Sequence, residues 1–330
     1  MPYAELRAAS AFSFLRGSSL PEELVQRAAA LGLDTLALVD RDGLSGAPRF
    51  FKAARAAGIR PLVGAELTLK GGGALPLLVE SRRGYQNLCR LITDMKAGVP
   101  KGTGALELEA LDEERVAGLY ALAGLDTLGA RPDPERLRAL RRAFGTRLVV
   151  EVQRHRRRSQ ERANRALLDL AAAERLCAVA TGGVRHAHAS GRMLLDAMTA
   201  IREKRTLAGA GRLLADNAER HLRSPRQMES LFADCPELPR RARELAERLD
   251  FTLQDLGYRF PQYPLPPGET DMSFLRQAAR AGARERYRPL HEKARLQIER
   301  ELALIEKLGL AGYFLIVWDI VNFCRREGIL

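Results

Sequence analysis

The residue types able to do chemistry stand where short apolar runs end. Arg7, Ala9 and then Arg16 follow the first run; Asp40, Arg41 and Asp42 follow the second; Glu66 follows the third. His155 closes Glu151-Val-Gln-Arg-His155, and Gly182, Gly183, Arg185 and His186 follow the last run. Carboxylates and neutral imidazoles are ligands for divalent metals, and a metal-bound water is a nucleophile for phosphoester hydrolysis. Guanidinium groups serve another chemistry: they stay protonated, pair with carboxylates and recognise phosphate through paired donors. The set is mixed. Asp40, Glu66 and His155 are ligand types, whereas Arg7, Arg16, Arg41 and Arg185 are cations that repel a metal ion. Buried charge must be paired, so Glu66 and Asp40 are expected to be ion-paired to Arg7, Arg41 or Arg185, and His155 to be a hydrogen-bonded loop histidine. His186-Ala-His188 is too sparse to predict a metal site.

The elements that must position these residues alternate in period. Apolar runs at Thr35–Val39, Ile59–Val63, Leu75–Val79, Leu119–Ala123, Leu148–Val152 and Leu176–Ala180, with a weaker one at Tyr3–Ala8, read as buried strands. Helical spacing lies between them at Pro21–Ala30, Ala47–Ala57, Tyr85–Lys96, Pro134–Phe144 and Gln160–Arg175. Pro21 followed by two acids, with Gly32 beyond the end, is a sound helix frame. Strand alternating with helix about seven times predicts an α/β chain of parallel strands with crossover helices, closed or nearly closed as a barrel. Ligands of such barrels gather at the C-terminal strand ends, where the residues above sit. From Arg192 to Asp250 the pattern is helical. Tyr258–Pro267, with four prolines, reads as an extended linker. Ser273–Leu308 reads as a long charged helix broken at Gly309, and the apolar stretch Tyr313–Cys324 is expected to pack in a core, Tyr313, Phe314 and Trp318 included. The sequence given stops at Gly328-Ile-Leu330, within what looks like a strand start, so the chain is expected to be the N-terminal portion of a longer protein.

Composition bounds the function. The 330 residues include 53 Lys+Arg against 41 Asp+Glu, a net charge of +12, and all but seven of the cations are arginine. That surplus favours phosphate-bearing partners, although many arginines alternate with glutamate on helix faces. With 46% hydrophobic and 28% charged residues, wholesale disorder is excluded. No apolar stretch is long enough for a membrane span and no signal-peptide pattern opens the chain, so a cytoplasmic location without membrane partners is expected. Cys89, Cys177, Cys235 and Cys324 never form a C-x-x-C pair and are expected to be small buried hydrophobes.

Several segments in one order carry a resemblance. Tyr3-Ala-Glu-Leu-Arg-Ala-Ala-Ser-Ala-Phe-Ser-Phe-Leu-Arg-Gly17, Leu36-Ala-Leu-Val-Asp-Arg-Asp-Gly-Leu-Ser-Gly46, Leu62-Val-Gly-Ala-Glu-Leu67, Val150–His155, Asn217–Arg223, Met228–Phe232 and Gly309–Val321 together resemble the opening of bacterial DNA polymerase III alpha subunits, nearest the error-prone, damage-inducible type. The resemblance implies a polymerase-and-histidinol-phosphatase (PHP) domain, a distorted seven-stranded barrel, at residues 1–200. It implies a helical extension at 201–257, a Pro-rich linker at 258–272 and the first segment of a polymerase palm at 273–330. The family's metal-binding His-x-His falls on Arg7-Ala-Ala9, its next acid on Arg16, its Asp-His on Asp40-Arg41 and its closing Asp-x-His on Gly183-Val-Arg185. Only Glu66 and His155 keep ligand-type side chains at matching positions, with Asp40 beside a lost one. The implied function is DNA-directed DNA synthesis in damage-induced mutagenesis and translesion repair. Magnesium and the catalytic residues are expected beyond this chain, and primer-template DNA, a sliding clamp and a Y-family-like accessory protein as partners. The PHP part would be an inactive scaffold without metal. A metal-dependent phosphoesterase or 3′–5′ exonuclease is the alternative, and an arginine-lined anion pocket without turnover is a third reading.

Overall fold

The computed structural model describes residues 3–254, 256 and 261–329, which divide into two compact units, Met1–Gln254 and Asp255–Leu330. In the first unit seven strands lie side by side in sequence order: β1 (Glu5–Ala8), β2 (Thr35–Arg41), β3 (Arg60–Thr68), β4 (Ala74–Val79), β5 (Leu119–Ala123), β6 (Leu148–Gln153) and β7 (Ala178–Thr181). The sheet curls until the chain beyond β7 meets β1. Val184 donates its amide to the Arg7 carbonyl at 2.8 Å and accepts from the Ala9 amide at 2.9 Å. The result is a nearly closed α/β barrel, with Arg185 delivered beside Arg7.

The sheet is mixed, which corrects the expectation of parallel strands throughout. β4 runs antiparallel to both β3 and β5, while the remaining pairs are parallel. The cause is the Gly71-Gly-Gly73 turn. All three glycines take positive φ, a conformation that glycine alone adopts without strain, and they fold β4 straight back on β3 with no room for a crossover helix. The antiparallel pairing also lengthens β3 to Thr68, so Glu66 lies inside the strand rather than after it.

Helices pack outside the barrel. Pro21–Ala30 and Pro134–Phe144 have the bounds read from sequence; the others begin or end one to three residues away, at Ala47–Ala56, Arg82–Lys96 and Arg158–Ala173. Between residues 192 and 250 the helices Arg192–Arg202, Pro225–Leu231 and Glu237–Glu247 are separated by irregular chain at 214–224, so this stretch is less helical than its pattern. One continuous apolar core joins strand and helix faces, from Leu6, Leu38 and Leu77 to Phe50, Phe144 and Phe232.

The second unit holds three helices, Asp271–Arg286, Glu292–Leu308 and Ala311–Arg326. The expected single helix to Leu308 is two, interrupted around Pro289, whose ring cannot continue a helix. Of the expected linker, residues 258–260 lie outside the described residues, and 261–266 form no helix or strand. A small core of Leu275, Leu302, Ala311 and Leu315 holds the unit together. Trp318 packs edge-on against Tyr263 and Phe274, yet it remains 38% exposed, and Tyr313 and Phe314 are exposed too, contrary to their reading as core residues. Gly328 is in a turn that follows a helix, not in a strand; Leu330 lies outside the described residues. The cysteines are not buried: Cys177 is exposed and the other three are half-buried, all as free thiols.

Candidate functional site

Alternation along the strands decides what faces the barrel interior. Side chains two apart share a face. Glu5 and Arg7 on β1, Arg41 on β2, Glu66 on β3, and Glu151 and Gln153 on β6 therefore form a polar layer at one end of an otherwise apolar barrel. Glu66 is its centre. Its carboxylate is 1% exposed and receives three arginines. Arg7 donates from Nη2 at 2.6 Å and Nε at 3.2 Å, Arg41 from Nη1 at 2.7 Å, and Arg185 from Nη2 at 2.9 and 3.1 Å. Arg7, itself buried, also pairs with Glu151 and, at 2.9 Å, with Asp126. Three guanidiniums and three carboxylates thus neutralise one another where buried charges would otherwise be costly. Burial by itself would push the Glu66 carboxyl up; Arg185, Arg7 and Arg41 outweigh it and hold it well below the usual carboxylate range.

Glu151 completes the layer by accepting from Gln153 and from the Thr181 hydroxyl. Among the described residues Glu5 has no cation in ion-pair range. It accepts from the Tyr3 hydroxyl and from the amides of Arg7 and Gly182, and burial pushes its carboxyl up to about 7. A cavity of about 20 Å³, lined by Asp126, Glu151, Gln153, Gln160 and Arg220, has room for a single water.

Asp40 is not in the plug, which corrects its expected pairing with arginine. It neighbours Arg41 in sequence and so points to the opposite face of β2. There it accepts from the Ser10 amide at 2.7 Å and from the hydroxyls of Ser10 and Ser13, pinning the loop after β1. Burial raises its carboxyl, against these hydrogen bonds. Ala9 is buried and its amide serves the closing contact with Val184. Arg16 is exposed on the loop that follows; its pKa is lowered by partial burial and by the like charges of Arg202, Arg41 and Arg185. Gly183 takes φ +57°, and a Cβ there would lie 2.3 Å from the Gln153 Oε1.

His155 is buried and fully hydrogen-bonded. Its Nε2–H donates to the Gly182 carbonyl at 2.9 Å, and its Nδ1 accepts from Gln160 at 3.1 Å. Burial, then the nearby Arg220, lowers its pKa to about 3, so the ring is neutral. His186 turns its Nδ1 to the His188 backbone carbonyl at 2.8 Å, while His188 itself is exposed. The pair does not chelate.

The donor set does not fit a cluster of divalent cations. Arginine nitrogens already occupy both oxygens of Glu66, those of Glu151 are taken by Arg7, Gln153 and Thr181, and both ring nitrogens of His155 are engaged. Among the described residues no group of three or more His, Cys, Asp or Glu is placed to hold a metal. Three of the four arginines considered for anion binding are spent on Glu66; Arg16 is the exception. Sequence reading missed Glu5, Asp126, Glu151 and Arg220. Glu151 carried a usable signal, a lone charge inside an apolar run, and so did Glu5, an acid two residues before Arg7 in its run; Asp126 stands just past β5, a strand end left unread.

Residues 5–155, which hold the first six of the seven strands and most of the charged layer, match the PHP domain. Residues 273–330 match the bacterial DNA polymerase III alpha NTPase domain. The chain is homologous over 99% of its length to proteins named error-prone DNA polymerase. Identity is 38% over 332 residues with that of Xanthomonas axonopodis pv. citri, and 41% with those of Alkalilimnicola ehrlichii, over 329 residues, and Mycobacterium bovis, over 351. It spans 30–32% of the length of these relatives. Among solved structures, an amidohydrolase from Chromobacterium violaceum aligns over 56% of this chain and 88% of its own, with 17% identity and a TM-score of 0.42. A putative metal-dependent phosphoesterase from Bifidobacterium adolescentis aligns over 71% of this chain and 97% of its own, with 15% identity and the same TM-score. No helix among the described residues is long and apolar enough to cross a membrane.

Proposed function

We propose that this chain is part of an error-prone DNA-directed DNA polymerase and that its PHP barrel is a metal-free scaffold rather than a hydrolase. The observation that carries the second half is the threefold arginine pairing of Glu66. A carboxylate held by three permanent cations is not free to ligate a metal, and without metal the barrel has no means of activating a water. Residues 1–200 are then the barrel, 201–257 its helical extension, 258–272 a linker and 273–330 the first segment of the palm. Nucleotidyl transfer, with its magnesium, belongs to residues outside this chain. Primer-template DNA, a sliding clamp and a Y-family-like accessory protein are the partners this reading calls for, in cytoplasmic translesion synthesis after DNA damage.

Two assays run together test it. The 330-residue chain with manganese is offered p-nitrophenyl phosphate and a labelled single strand, and the full-length protein is offered a primed template with deoxynucleotides. The expected result is primer extension by the full-length protein and no hydrolysis by the chain. Manganese-dependent hydrolysis that Glu66→Ala and His155→Ala abolish would instead establish the phosphoesterase or exonuclease reading.

A further inference from the structure

The helix Arg158–Ala173 carries arginine at 158, 162 and 165. This i, i+4, i+7 spacing puts the three on one face, within about 60° of arc and along about 10 Å of axis. The opposite face, Asn164, Leu167 and Ala171, is buried against the barrel. All three arginines are exposed, and among the described residues none has a carboxylate in salt-bridge range. Their neighbours are spent: Arg154 on Asp234 and Glu161, Arg156 on Glu219, and Arg157 on Asp216. Asp169, one turn beyond Arg165, bounds the stripe.

This arrangement works against the helix that bears it. Like charges four apart repel, and a cation in the first turn opposes the helix dipole. We propose that the stripe is a contact strip for the phosphate backbone of a nucleic acid strand, an assignment that rests on the polymerase reading above. Phosphates rise about 3.4 Å per nucleotide along one strand, so about 10 Å of arginines spans roughly three of them. The strip is open rather than pocketed, which suits a polyanion better than a single phosphate. A lipid surface is disfavoured because the apolar face of this helix is already packed inward and cannot insert.

The test is a fluorescence-anisotropy titration of the 330-residue chain onto labelled single-stranded and duplex oligonucleotides between 50 and 200 mM salt. The strip variant R158Q/R162Q/R165Q is compared with R83Q/R131Q/R142Q, which removes three exposed arginines elsewhere. The strip variant is expected to weaken binding irrespective of sequence. Its slope of log affinity against log salt should shrink by about 2 for single strands and about 3 for duplex, while the control keeps the wild-type slope. If the wild-type chain binds DNA and both variants match it, or both lose equally, the strip is overturned and the polymerase reading stands. If the wild-type chain binds no oligonucleotide at 50 mM salt, the strip falls as well, and primer extension by the full-length protein decides the other reading separately.

Discussion

Replacing Glu66 by alanine asks directly what the charged layer is for. The substitution removes the acceptor of every Arg7, Arg41 and Arg185 bond at the centre of the plug. Arg7 keeps Glu151 and Asp126, and Arg41 keeps the Thr68 hydroxyl and the Gly73 carbonyl. Among the described residues Arg185 keeps no carboxylate in ion-pair range, and its buried Nη1 has no hydrogen-bond partner. Removing one member of a buried ion pair costs about 3–5 kcal/mol, because the remaining charge stays buried and unpaired. For a unit of this size each kcal/mol moves the melting temperature by about 2–4 °C, so Glu66→Ala should lower it by roughly 6–20 °C in calorimetry. The Glu66→Ala/Arg185→Ala double variant should be less destabilised than the sum of the singles, with a coupling of about 0.5–3 kcal/mol. A variant that melts with the wild type, or above it, would refute the reasoning. That outcome belongs to a carboxylate kept waiting for a metal, whose removal relieves repulsion from Glu151 and Asp126.

Two further outcomes follow from the same geometry. His155 is neutral when folded, with a pKa of about 3 against roughly 6.5 in the unfolded chain. Its contribution is fully present above pH 6.5 and is lost as pH falls toward 3, because the unfolded state then binds the extra proton. His186, lowered to about 4 by burial, acts in the same direction. The melting temperature should therefore drop on acidification from pH 6.5 to 4, and His155→Gln should drop less steeply over that window; parallel curves would show that His155 is not buried neutral. Gly183→Ala puts a Cβ at positive φ and against the Gln153 amide, and should cost more than about 1 kcal/mol in denaturant unfolding. An unchanged midpoint would mean the turn after β7 is not held as described.

Much of this was legible because burial writes itself into period and run length. The apolar runs gave the strands, and Pro21–Ala30 was readable to the residue from its proline, its acids and Gly32. Orientation was not legible. The run that forms β4 has the same composition as its parallel neighbours, and only the triple glycine before it signalled a direct return. Within the site, the charge inventory correctly placed arginines around Glu66, since a buried acid needs a cation. Asp40 went astray because the pairing rule for buried charge ignores the face of the strand: Asp40 points away from Arg41, and an amide and two hydroxyls satisfy it there in place of a cation. Trp318 went astray for another reason: apolar character dictates a preference for burial, not its completion, and the edge-on contacts with Tyr263 and Phe274 leave the ring 38% exposed.

The proposed metal-free scaffold depends on the three arginines that hold Glu66 at the mouth of this barrel. Its most direct test is the divalent-metal content of the purified chain after incubation with manganese and zinc, measured by mass spectrometry after desalting. Metal well below one ion per chain is the predicted result. Two or three ions per chain, lost in Glu66→Ala and His155→Ala, would contradict it and return the barrel to phosphoester chemistry.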